Sequence, residues 1–164
     1  MISIVRATVA DLNSITEIAH KTWPLTYGKI LSPAQLDYML NAFYSDEALR
    51  ANIENGHEFI LAKEADIVLG FASFEPHYED GNTTKIHKIY ILPETQGKGI
   101  GKLLIAAIAQ FAKENNSSSL LLNVNRFNKA LTFYQKLGFK IIQEIDIELD
   151  FGYLMEDYVM EKRI

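Results

Sequence analysis

The spacing of apolar residues changes character along the chain. Ile2 to Arg6 is a short apolar run that reads as a strand, and Leu12, Ile15, Ala19 and Trp23 then recur at helical intervals behind the capping box Thr8-Val9-Ala10-Asp11. This helix is expected to stop at Pro24, which has no N–H to continue the ladder. Ser32-Pro33 opens a second helix carrying Leu36, Met39, Leu40 and Phe43, and Ser45 starts a short third. The period then shortens to that of strands: Phe59 to Lys63, a tight turn at Glu64-Ala65-Asp66, Ile67 to Phe74, and Lys85 to Leu92. Ile100, Leu103, Leu104, Ala107, Ile108 and Phe111 mark an amphipathic helix from Gly99 to Glu114 whose apolar face should pack on the sheet. Ser119 to Val124 is a further strand; Ala130, Phe133, Tyr134 and Leu137 form a helical stripe ended by Gly138. Two strands follow. In the first, Glu144, Asp146, Glu148 and Asp150 alternate with Ile145, Ile147 and Leu149, which predicts one acidic and one buried face; the second runs from Tyr153 to Lys162. With no internal repeat or linker, residues 1–164 read as a single mixed α/β domain.

Composition narrows the chemistry. The chain is 48% apolar and 23% charged, the balance of a folded globular domain. Its 16 Lys and Arg against 21 Asp and Glu leave a net charge of -5, so no nucleic-acid partner is expected. The absence of cysteine excludes disulfides, thiolate metal sites and a cysteine nucleophile, and makes a reducing cytoplasm the natural compartment. No basic-then-apolar leader opens the chain and no run of ~18 uncharged apolar residues occurs, so neither a signal peptide nor a membrane span is expected. His20, His57 and His77 have no ligand spacing to one another or to acids, and no metal site is expected.

The most informative segment runs from Ile89 to Lys102, a strand, a turn, then Gly97, Gly99 and Gly101 opening a helix. Backbone N–H groups and a helix dipole converge there, where an anion such as a pyrophosphate can sit. The glycine spacing fits neither the dinucleotide fingerprint nor a P-loop, which needs glycine where Gln96 stands and Ser or Thr where Leu103 stands. Lys85, Lys88, Lys98 and Lys102 against Glu94 alone make the segment locally basic.

Gln96 to Gly101 resembles the Gln/Arg-x-x-Gly-x-Gly/Ala loop of the GCN5-related N-acetyltransferase (GNAT) family. The stretch from Asn128 to Phe139, with Ala130, Phe133, Tyr134, Lys136 and Gly138, is similar to that family's second signature and follows in the expected order. The match is strong over residues 86–139. Segments at Trp23 to Tyr27, Leu31-Ser32-Pro33 and Met155 to Met160 are similar to bacterial polyamine acetyltransferases.

The resemblance implies a central twisted, mostly antiparallel sheet flanked by helices, and transfer of acetyl from acetyl-CoA to the primary amine of a small molecule by direct attack in a ternary complex. The pyrophosphate would lie on Gln96, Gly97, Lys98, Gly99, Ile100, Gly101 and Lys102, with pantetheine along Ile89, Tyr90 and Ile91 where a bulge opens the strand. A backbone N–H near Ile91 would hold the oxyanion. Tyr134 stands where the family has its general acid, although its place on an apolar stripe also describes a core tyrosine. Many relatives carry Glu where this chain has His87; a neutral imidazole there can take the amine proton, and a half-buried strand histidine on the side of Ile89 and Ile91 is the equal alternative. Asn128 would contact the cofactor or cap a helix, and Lys136 would reach the phosphates or lie in solvent.

Trp23 and Tyr27 are candidate acceptor-site residues, because Pro24 and Gly28 imply an irregular loop between them. Seven acids and no basic residue lie between Ile141 and Glu161. That field would attract a polyamine, and it equally describes the wet face of an edge strand, the stronger of the two readings. Two other functions stay open: a non-catalytic sensor of CoA or acyl-CoA, which His87 in place of Glu favours, and acetylation of a protein or peptide amine. A homodimer is a further expectation carried by the resemblance.

Overall fold

A computed structural model describes residues 1–164. Seven strands form one sheet in the order β1-β2-β3-β4-β5-β7-β6. These are β1 (Ile2–Arg6), β2 (Glu58–Glu64), β3 (Ile67–Glu75), β4 (Thr83–Ile91), β5 (Ser119–Asn125), β6 (Lys140–Glu148) and β7 (Leu154–Arg163). All neighbours are antiparallel except β4 and β5, which the crossover helix makes parallel.

Helices α1 (Leu12–Tyr27), α2 (Pro33–Tyr44) and α3 (Asp46–Glu54) cover one face of the sheet, and α4 (Ile100–Glu114) and α5 (Ala130–Lys136) the other. Alternation along β2 feeds both cores: Phe59 and Leu61 face α1, Ile60 and Ala62 face α4. Local chemistry sets the helix starts. Asp11 Oδ2 accepts from the Thr8 N–H at 2.8 Å, Ser32 Oγ from the Gln35 N–H and Ser45 Oγ from the Ala48 N–H, each at 3.1 Å.

Two expectations need correction. Pro24 does not stop α1, which runs on to Tyr27. Pro24 and His20 lie on the exposed face, where water can take the carbonyl that the missing N–H leaves, and continuing the helix buries Tyr27 against Trp23 with ring centroids 4.6 Å apart. The apolar face of β6 is not buried, because β6 is the edge strand: Ile145 and Ile147 are only partly covered and Ile141 and Ile142 are exposed. No helix is long and apolar enough to cross a membrane.

Candidate active site

The sheet opens at its centre. β4 and β5 pair from Thr83↔Ser119 to Ile86↔Leu122 and then separate. On its other side β4 stays bonded to β3, but the register shifts between Ser73↔Lys88 and Phe74↔Ile86, leaving His87 as an inserted residue. This is a β-bulge. Beyond it, Leu92 donates its N–H to the Leu69 carbonyl at 2.8 Å, which sets the phase of the ladder. By antiparallel alternation the N–H and C=O groups of Ile89 and Ile91 then point away from β3, into the opening.

The bulge also reverses a side chain. His87 does not share the face of Ile89 and Ile91, which pack toward α4; it lines a cavity on the α1 face together with Lys85, Lys88 and Tyr90. Two consecutive residues, His87 and Lys88, therefore point the same way. The cavity, of about 200 Å3, is walled by Trp23, Tyr27, Phe43, Tyr44 and Tyr90, with Leu31 and Met39 from the helical side and Leu154, Met155 and Asp157 from β7. Trp23 and Tyr27 both line this cavity, from a continuous helix rather than the expected loop. The Tyr27 and Tyr90 hydroxyls are hydrogen-bonded at 2.8 Å.

Below the opening, residues 97–102 carry consecutive backbone N–H groups that donate to no backbone carbonyl; the first bonded one is Leu103 N–H, to the Gly99 carbonyl at 3.1 Å. Gly97 and Gly99 are left-handed, with φ of 89° and 76°, so glycine is required there by conformation. Gly101 is required by space: a Cβ would stand 2.9 Å from Phe133 Cζ and 3.2 Å from Ile91 Cδ1. Gln96, Lys98 and Lys102 are exposed around this loop and Ile100 is buried beneath it. Lys85 and Lys88 belong to the cavity instead, so the local basic charge divides between two places rather than gathering at the glycines.

Tyr134 is buried, packed on Phe133 and Phe139 in the α4-side core with centroids 5.3 and 5.8 Å away. Burial raises its pKa above the usual tyrosine value, and the nearness of Tyr27, on the far side of the opening, adds to the effect. The hydroxyl is therefore held protonated. Asn128 Oδ1 accepts from the Ala130 N–H at 2.9 Å, the capping arrangement, and Lys136 lies in solvent without an ion pair.

His87 donates through Nε2 to Glu75 Oε1 at 3.0 Å, while His57 stacks flat on it with centroids 4.1 Å apart and its own Nε2 3.4 Å from the same oxygen. Burial, joined for His87 by the nearby Lys85 and Lys88, lowers both imidazoles to about 4. Both rings are neutral at pH 7. No spacing in the sequence marks this trio, since His57 and Glu75 meet His87 only through the sheet; their ligand atoms lie within 4.8 Å of one another. The ring planes are parallel, 1° apart, so their in-plane lone pairs do not converge on one ion as they stand.

The acidic field of the last hairpin is partly engaged internally. Arg126 reaches Asp146 at 2.7 Å, Glu144 at 3.4 Å and Glu156 at 3.8 Å, and Asp150 accepts from the Tyr38 hydroxyl at 3.0 Å. Asp157 turns inward and is buried, which raises its pKa, with the Asn123 amide and Lys85 drawing it back. Lys85 in turn donates to Asn123 Oδ1.

Known proteins share this architecture. The spermidine N(1)-acetyltransferase of Thermoplasma acidophilum is 27% identical, with 99% of this chain and 97% of that protein aligned. An uncharacterized N-acetyltransferase of Bacillus subtilis, YuaI, is 28% identical over 91% of this chain and 86% of its own length. The crystal structure of the PaiA N-acetyltransferase from Thermoplasma acidophilum in complex with coenzyme A superposes with a TM-score of 0.83 at 26% identity, covering 100% of this chain and 99% of that one. Residues 12–139 match the Acetyltransferase (GNAT) family, and the chain is an N-acetyltransferase of that family.

Proposed function

We propose that the chain transfers the acetyl group of acetyl-CoA to the primary amine of a small molecule by direct attack in a ternary complex. The observation that carries this reading is the opening between β4 and β5, with the free N–H groups of residues 97–102 at the start of α4 and the aromatic cavity on the α1 face. A pyrophosphate on that loop and a pantetheine bonded to Ile89 and Ile91 would bring a thioester beside His87.

The amine nitrogen forms a bond to the thioester carbonyl carbon as the C–S bond breaks. The neutral His87 imidazole, with Glu75 holding its Nε2–H, takes the amine proton at Nδ1. The Ile91 N–H faces the developing oxyanion, and Tyr134, kept protonated by burial, gives its proton to the departing thiolate. The cavity's modest volume, about 200 Å3, favours a small amine over a peptide chain.

Calorimetric titration with acetyl-CoA and measurement of thiol release with small amines test the reading. Tyr134→Phe should lower kcat about tenfold or more at nearly constant acetyl-CoA affinity. Wild-type turnover in that variant would return Tyr134 to a purely packing role.

A further inference from the structure

The cavity holds an ammonium that no anion of the protein answers. Lys85 has Asn123 and the nearby Asp157. Lys88 has neither: its ammonium makes no ion pair and no hydrogen bond, and lies 5.1 Å from the centroid of the Tyr44 ring. The Tyr44 ring offsets part of the cost of taking this ammonium out of water, and an anion supplied by a ligand would offset the rest. Burial accordingly lowers Lys88 to about 8, which leaves it mainly charged at pH 7.

We infer that the amine acceptor is an α-amino acid with an apolar side chain, its carboxylate held by Lys88. This rests on the acetyl-transfer reading above and names the substrate class for the same site. The bulge supplies the geometry. His87 and Lys88 are consecutive yet face the same cavity, so the group that takes the amine proton and the group that holds the anion are neighbours. An α-amino acid carries its amine and carboxylate on one carbon, the matching arrangement. The remaining walls, Trp23, Phe43, Tyr44 and Tyr90, are aromatic and suit an apolar side chain.

A polyamine is the poorer fit. Two lysines against one aspartate, with His87 neutral, give the cavity a net positive charge that repels a polycation, and Arg126 sits among Glu144, Asp146 and Glu156 of the last hairpin, weakening the field that would attract one. A phosphate, carrying more charge, would call for more donors than the single free ammonium.

The test compares acceptors that differ by the carboxylate alone. With saturating acetyl-CoA, kcat/KM for L-leucine should exceed that for 3-methylbutylamine about tenfold or more, the effect of one charge-assisted hydrogen bond, and should exceed that for spermidine and O-phosphoethanolamine. Lys88→Met should collapse the leucine preference and Lys88→Arg should retain it. Equal or better turnover of 3-methylbutylamine, spermidine or O-phosphoethanolamine, or a preference that survives Lys88→Met, overturns the inference. If no amine is acetylated, the acetyl-transfer reading fails, and calorimetry on the CoA-loaded protein decides the inference separately. Tighter binding of N-acetyl-L-leucine than of N-(3-methylbutyl)acetamide, lost in Lys88→Met, supports it; no such difference overturns it.

Discussion

One inserted residue in β4 determines which side chains the cavity receives. Without the bulge, alternation would carry His87 to the face of Ile89 and Ile91; with it, His87 joins Lys88 and Tyr90 and reaches Glu75 and His57. The two imidazoles make the protein sensitive to acid. Each has a pKa of 6.5 when unfolded and about 4 when folded, so the unfolded chain binds more protons throughout that interval and stability falls as pH drops from about 6.5 to about 4. The loss should amount to about 2 kcal/mol per histidine, since one pKa unit is about 1.4 kcal/mol and both rings keep some contact with water. Urea denaturation across this range should give a flatter pH profile for the His57→Gln/His87→Gln double variant; an unchanged slope would mean that water reaches both rings freely. In the amino-acid sequence His87 was visible as a candidate, but Glu75 and His57 were not, because strand neighbours separated by a turn leave no spacing signal.

At the scale of elements, the turn from β4 into α4 is free to bind an anion because its backbone N–H groups are unspent. Gly97 and Gly99 hold left-handed conformations with open space where a Cβ would stand, so the loop tolerates a small side chain at a cost of about 1 kcal/mol for the conformation. Gly99→Ala should therefore keep most of its acetyl-CoA affinity. Gly99→Asp should lose it by about a hundredfold or more through the added negative charge, with thermal melting close to that of Gly99→Ala. Similar calorimetric affinities for the two variants would remove the pyrophosphate from this loop. The helix starts and the glycine loop were legible in the sequence because caps and left-handed glycines are local requirements. The path of α1 through Pro24 was not, since burial of Tyr27 against Trp23 and Tyr90 outweighs the local penalty of proline.

At the scale of the molecule, the two halves of the sheet meet only through the short ladder from Thr83 to Ile86, so a ligand in the opening should brace the whole fold. Binding to the native state alone stabilises by about 2.7 kcal/mol at a hundred times the dissociation constant, which for a chain of this size raises Tm by roughly 5–10 °C. Differential scanning fluorimetry with acetyl-CoA checks this. Hydrogen exchange should slow in the segments 89–91 and 97–102; protection spread evenly over the sheet would place the cofactor elsewhere.

The sequence by itself determined the order of elements, the anion-ready turn at Gly97 to Gly101 and the two signatures of the acetyltransferase family, because each depends on residues close together in the chain. Tertiary structure alone decided which charges share a cavity. Lys85 and Lys88 line the aromatic cavity rather than the glycine turn, Asp157 turned away from its acidic neighbours toward Lys85, and Glu75 and His57 came to His87. These placements follow from the bulge, the strand register and the separation of β4 from β5, which are set by packing on both faces of the sheet, and no local run of residues encodes them.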